Sequence, residues 1–139
     1  MVMSLGEAVA SLSSMDSALD LAHGLLKLGK DGLGKQSGAT IWEVRAVLPL
    51  AVILFAAGPV GCGEGEHWVR AAVDNADPED TAQPGWARAA LLCATSDPVM
   101  ARSMAGLTAL DQRQRDCVVM ALRAALDESP DSRANTARV

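Results

Sequence analysis

The stretch IWEVRAVLPLAVILFAAG, residues 41–58, is the most hydrophobic segment of the chain and decides its fold class. Thr40 and Glu43 have the spacing of a capping box, which predicts that a helix begins between them. Gly58-Pro59 is a typical helix end, because glycine adopts the left-handed conformation readily and proline cannot continue a helix. Pro49 lies inside the segment and is expected to kink or split the helix, because proline removes an internal hydrogen bond.

Either neighbouring helices or lipid could cover this apolar segment. No charged residue occurs from Ala46 to Gly63, and basic residues precede this run while acidic residues follow it. That pattern would suit a membrane anchor with its N-terminus inside. However, a helix over 41–57 is only about 25 Å long at 1.5 Å per residue, shorter than the ~30 Å hydrocarbon core. We therefore predict a buried core helix, and a small membrane-associated protein anchored by 46–63 is the alternative.

Composition favours helices throughout. Apolar residues make up 50% of the chain but aromatic residues only 3%, and the residues that favour strands are scarce. We predict an all-α fold, a compact single-domain bundle of five to seven helices over residues 1–126 with no significant sheet. The Gly- and Lys-rich residues 28–39 are expected to form a flexible loop inside it, and 127–139 a polar, disordered tail. Beyond a short helix capped by Ser4 and Glu7, helices are expected at about 16–28, 41–57, 66–76, 85–95, 98–107 and 111–126.

A nearly repeated hexapeptide marks two of these helices. Residues 68–73 read Trp-Val-Arg-Ala-Ala-Val, and residues 86–91 read Trp-Ala-Arg-Ala-Ala-Leu. On a helical wheel the first copy places its tryptophan and second alanine on one side and Arg70 and Asp74 on the other. The pattern is typical of a packing device, with small residues inward, charge outward, and Arg70 paired with Asp74.

The second copy is more apolar. Arg88 is the only charged residue from Trp86 to Ser96, so we predict that 86–94 is the innermost helix of the second half. If Arg88 is partly buried, it needs a carboxylate partner. On the last helix, Asp111 and Arg115 have the orientation of a favourable ion pair.

The charge pattern suggests a function. The formal net charge is −5, which argues against direct nucleic-acid binding. Acidic patches steer association with basic partners, so we predict a non-enzymatic protein-interaction module: an adaptor, inhibitor or assembly factor docking another protein with a basic surface. The predicted partner-binding residues are Trp42, Glu64, Glu66, Asp74, Asp77, Glu79 and Asp80.

A second alternative is a small metal-binding protein or enzyme centred on 62–67, where Cys62, Glu64, Glu66 and His67 offer ligands that zinc accepts. Gly29-Lys-Asp-Gly-Leu-Gly-Lys-Gln36 approaches a phosphate-binding loop but has Gln36 where that motif has Ser or Thr. No catalytic, cofactor or metal residue is assigned, and Cys93 and Cys117 are expected in the core.

The expected location is the cytoplasm, with the inner membrane as the alternative. Three cysteines, an odd number without motif spacing, favour a reducing compartment, and the N-terminus lacks the basic start of a secretory signal. The excess of arginine over lysine in the second half and the alanine content are typical of GC-rich bacterial or phage genomes.

Overall fold

The computed structural model describes the backbone of residues 4–32 and 41–127 and the side chains of residues 4–27 and 45–126. In those ranges the chain forms helices and no strand, which confirms the all-α class. The seven helices of this part are α1 (Leu5–Ala10), α2 (Met15–Gly32), α3 (Ile41–Ala57), α4 (Glu66–Val73), α5 (Trp86–Cys93), α6 (Pro98–Leu107) and α7 (Gln112–Asp127).

The apolar segment forms the central helix. α3 contacts every other helix in the described part of the chain, and each of its side chains from Leu50 to Ala57 is buried. Burying a side chain such as Ile53 or Phe55 contributes roughly 1.5–3 kcal/mol, so this half of α3 anchors the core. The predicted core helix is confirmed for the side chains from Ala46 to Ala57, which are buried or half-buried against the neighbouring helices.

The course of α3 bears on two expectations, that Pro49 kinks or splits the helix and that the helix ends near residue 57. It runs unbroken from Ile41 to Ala57 with Pro49 inside it, so the proline does not split it. Residues 58–65 form turns rather than more helix. Among the helices described, none is both long enough and apolar enough to cross a bilayer.

Local capping signals place two helix starts where the sequence predicted them. The Ser4 hydroxyl accepts a hydrogen bond from the Glu7 amide at 3.1 Å, and the Glu7 carboxylate accepts one from the Ser4 amide at 3.2 Å. The Asp97 carboxylate accepts from the Met100 amide at 3.1 Å, ahead of a proline at the first position of α6. These bonds satisfy amides that the helix itself leaves without partners.

The predicted start of the loop at residue 28 is wrong, because α2 continues past Leu28 to Gly32. A glycine inside a helix costs about 1 kcal/mol relative to alanine, and the packing of α2 against α3 and α7 offsets that cost. Residues 33–39 of the predicted loop, Thr40 of the predicted capping box and the tail beyond Asp127 lie outside the described residues.

α4 ends at Val73, before the predicted end at residue 76. Asn75 holds a turn here: its side-chain amide donates to the Asp80 carboxylate and to the Pro84 carbonyl, both at 3.0 Å. Its carbonyl accepts from the Trp86 amide at 2.9 Å. A Cβ on Gly85 would lie 2.8 Å from the backbone carbonyl oxygen of Asn75 and 2.6 Å from its side-chain nitrogen, so only glycine fits beside this turn.

The prediction that 86–94 is the innermost helix of the second half agrees with the burial of α5, which has one exposed residue, fewer than α4, α6 or the described side chains of α7. α5 packs on α3 and α6 and buries Trp86, Ala89, Ala90 and Cys93, but Leu91 is 53% exposed. A short helix beside α3 is covered on the side that faces it, so an apolar sequence all round does not guarantee burial all round. Two of the three tryptophans, Trp68 and Trp86, are core anchors, whereas the side chain of Trp42 lies outside the described set.

Candidate functional site

Two of the predicted partner-binding acids organise the loop between α4 and α5. The Asp80 carboxylate accepts from the backbone amides of Gln83 at 3.0 Å and Ala82 at 3.2 Å. The Gln83 amide, the Asn75 side chain and then the Ala82 amide lower the pKa of Asp80, because each hydrogen bond stabilises the charged form. The Asp77 carboxylate accepts from the amide two residues on at 2.9 Å.

Two other predicted acids form ion pairs with arginine. Glu66 binds the Arg70 guanidinium at 2.7 Å, one helical turn apart, and Asp74 binds Arg123 of α7 at 2.6 Å. The predicted Arg70–Asp74 pair is therefore wrong. An acid on the N-terminal side of its cation is the better orientation on a helix, and Asp74 lies beyond the end of α4, where it reaches α7.

Glu64 and Glu79 remain exposed, and neither side chain has a hydrogen bond or ion pair within the part of the chain that the structure describes. The predicted acidic region is thus divided among loop-forming, ion-pairing and exposed carboxylates. It is not one uniform surface, and Trp42 cannot be placed on it because its side chain is outside the described side chains.

A groove lies between the end of α4 and α7, and we call it the α4–α7 groove. Its volume is about 470 Å³, within the range of roughly 300–1,000 Å³ that binding clefts occupy. It is lined by Asp74, Asn75, Ala76, Asp77, Pro78, Gln112, Arg115, Asp116, Val119, Met120 and Arg123. The structure thus joins Asp74 and Asp77 of the predicted set to residues of α7, and it leaves the other predicted acids outside this groove.

Sequence reasoning missed the α7 side of the groove. Asp116 and Met120 are spaced four residues apart and both are exposed, Met120 to 67%. Their spacing places them on one helix face, and this spacing is visible in the sequence. The sequence did not indicate that the residues after α4 lie opposite that face.

Both arginines of the groove brace its walls. The Arg115 guanidinium donates to the Ala76 carbonyl at 3.0 Å, and Arg123 holds Asp74. The predicted Asp111–Arg115 pair is wrong, because the Asp111 carboxylate instead accepts from the Gln114 amide at 2.8 Å and caps α7. The positive charges therefore join α7 to the region after α4.

The segment 62–67 does not show an activated thiol. The pKa of Cys62 is raised, chiefly because the thiol is partly buried. A nucleophilic thiolate requires the opposite, a lowered pKa. Within the described ranges, no group of three or more His, Cys, Asp or Glu side chains could hold a metal ion. The phosphate-loop-like residues 29–32 continue α2, and 33–36 lie outside those ranges.

Two further core predictions have different outcomes. Cys93 is buried and its thiol donates to the Val52 carbonyl at 3.6 Å, and burial raises the pKa of Cys93 to about 12. Cys117 is only half-buried.

Arg88 is half-buried too, but no carboxylate among the described residues pairs with it, so the expected partner is not found there.

Comparisons of the chain with protein-family models, with curated proteins and with solved structures gave no match.

Proposed function

We propose that this protein is a non-enzymatic interaction module, an adaptor, inhibitor or assembly factor, that docks a partner with a basic surface through the α4–α7 groove. The observation that carries the proposal is the combination of exposed Asp77, Asp116 and Met120 around one groove. Methionine is enriched at interfaces, where it adapts to different partners. Carboxylates beside it would steer and orient a cationic segment.

The charge of the groove supports a basic partner. Three carboxylates and two guanidiniums line it, and the guanidiniums are engaged with Asp74 and with the Ala76 carbonyl. The carboxylate of Asp116 has no hydrogen bond or ion pair in the described part of the chain. The excess charge offered to a ligand is therefore negative, as is the charge of the whole chain.

The two walls of the groove support docking of an extended or helical segment of another protein. One wall is an irregular loop held by internal hydrogen bonds, and the other is the regular face of α7. A preformed cleft limits the entropy lost on binding, so a partner need not reorganise this surface to use it.

The test is quantitative capture of partners from the lysate of the source cell by the full chain, followed by affinity measurements with each purified partner. We expect Asp116→Lys to weaken binding about tenfold or more, because like charges would then face each other. Glu64→Lys is the matched control, since it reverses an exposed acid outside the groove, and it should leave the affinity nearly unchanged.

Two results would refute the proposal. One is a partner whose affinity responds equally to Asp116→Lys and Glu64→Lys, which would indicate a general charge effect. The other is retention of no specific partner together with clear turnover of a small molecule by the purified chain.

A further inference from the structure

A second groove lies between α5 and α6, and we call it the α5–α6 groove. Its volume is about 410 Å³. Alanine is its commonest lining residue, with Ala87, Ala90 and Ala94 on one side and Ala101 and Ala105 on the other, and two prolines, two threonines, Leu91 and Arg102 complete the lining. Small side chains leave the two helix backbones close to the groove, so an incoming helix could approach closely.

The groove is apolar at its edge as well as inside. Leu91 lines it and is 53% exposed. Single exposed apolar residues are ordinary, but a leucine at the mouth of an apolar groove adds area that a ligand can cover.

Arg102 determines what kind of ligand fits. It is the only charged residue lining this groove among the residues that the structure describes. It is exposed, and it forms no ion pair or hydrogen bond in that part of the chain. An apolar groove with one cation at its wall is complementary to an apolar surface that carries a carboxylate.

We propose that the α5–α6 groove binds an amphipathic helix of a partner protein. The apolar face of that helix would cover Leu91 and the alanine-lined walls, and an Asp or Glu on its flank would pair with Arg102. Helices dock into hydrophobic grooves through apolar residues spaced three to four apart, and the alanines on both walls would let such a helix approach closely.

A second copy of this chain fits the groove less well. In a two-fold dimer the same patch faces itself, and the lining residues of this patch include an arginine but no carboxylate. Self-pairing would bring two cations into one interface without a partner for either. The occupant is therefore assigned to a different, acidic and amphipathic segment.

This inference does not depend on the α4–α7 groove. Pro78 lines both grooves, but Arg102 and Leu91 line only the second. Variants in one groove can therefore be tested without altering the charged residues of the other.

The test uses a phage-displayed library of random helix-length peptides, selected on the immobilised full chain. We expect the enriched peptides to carry apolar residues at helical spacing and an acidic residue beside them. Their affinity should fall at least about tenfold with Arg102→Glu and with Ala105→Trp. Ala105 is exposed, so tryptophan there fills the groove without entering the core.

Arg113→Glu is the matched control, because Arg113 is exposed and outside both grooves, and it should change the affinity less than about twofold. Selection repeated on Arg102→Glu should enrich basic residues in place of acidic ones. The proposal is overturned if no peptide is enriched, if binding survives Ala105→Trp and Arg102→Glu, or if ultracentrifugation shows a dimer that Ala105→Trp dissociates.

Discussion

Helices α4 and α5 contain the same hexapeptide pattern, yet they bury different positions of it. In α4 the tryptophan, the residue after it, the second alanine and the final valine are buried; these are Trp68, Val69, Ala72 and Val73. In α5 the tryptophan and both alanines are buried, but the final Leu91 is 53% exposed. Burial thus follows the neighbours of each helix, and the pattern determines only which side chains share a face.

The two copies also begin at different points of their helices. α4 starts at Glu66, two residues before its tryptophan, whereas α5 starts at Trp86 itself. The residue four before Arg70 is therefore a helical Glu66, and the two pair at 2.7 Å. The residue four before Arg88 is Pro84, in the loop, so the second arginine has no equivalent partner.

This comparison explains why one copy completes the core while the other borders a groove. Val73 is covered within the core, whereas Leu91 lies beside the small alanines of α5 and α6. Alanine side chains fill little volume, so two alanine-lined helices leave space between them unless a third element enters it. The same residue type that permits close packing in α4 leaves a groove at α5.

The largest expected effect concerns the tryptophan with which both copies of the hexapeptide begin. Trp68→Ala and Trp86→Ala should each lower the free energy of unfolding by about 3–5 kcal/mol, because both remove a buried indole and leave a cavity. Urea unfolding followed by far-UV circular dichroism measures this. Trp→Phe at each site is the control and should cost less. A loss below about 1 kcal/mol at either site would show that the two tryptophans are not equivalent anchors.

The next prediction concerns the position where the copies differ. Val73→Ala should cost about 2 kcal/mol, since it removes two buried methyl groups and leaves a void. Leu91→Ala should change stability by less than about 0.5 kcal/mol, because that side chain is largely in water. The same unfolding assay decides between them. Equal losses would mean that something covers Leu91 in the free protein and would contradict the open groove.

The smallest expected effect concerns the turn that ends the first copy and has no counterpart in the second. The pKa of Asp80 is lower in the folded chain than its ordinary value. Its contribution to stability is therefore present above the ordinary value and is lost as pH falls through the lowered one. Asp80→Asn should be less stable than wild type at neutral pH, and the difference should disappear in strong acid.

Urea midpoints measured from neutral to acidic pH test this expectation. Glu79→Gln is the control, because it removes a charge from the same loop without removing an acceptor of the loop amides. If both variants show the same dependence on pH, the hydrogen bonds of Asp80 do not account for its role.

Much of the architecture was predictable because its causes are local in the chain. Helix starts at Ser4 and Asp97 follow from side chains that satisfy nearby amides, and the burial of α3 follows from a segment that is apolar on every side. The end of α4 was not predicted, because it depends on Asn75 bonding to Asp80 and Pro84 across the loop.

The candidate site was predictable only in part. The acidic residues after α4 were identified, and Asp74 and Asp77 do line the α4–α7 groove. Asp116 and Met120 were missed because they come from a helix far along the chain. The α5–α6 groove was missed for a related reason, since alanines in a sequence do not reveal whether another helix fills the space beside them.

The order of the residues was enough to establish an all-α chain, its most buried helix and the faces on which its arginines lie. These properties depend on periodicity and on contacts within one helical turn. Packing between helices decided which arginine pairs with a carboxylate outside its own helix. It also decided which leucine is exposed and where the grooves lie. Those outcomes depend on the relative placement of whole helices, which no single segment specifies.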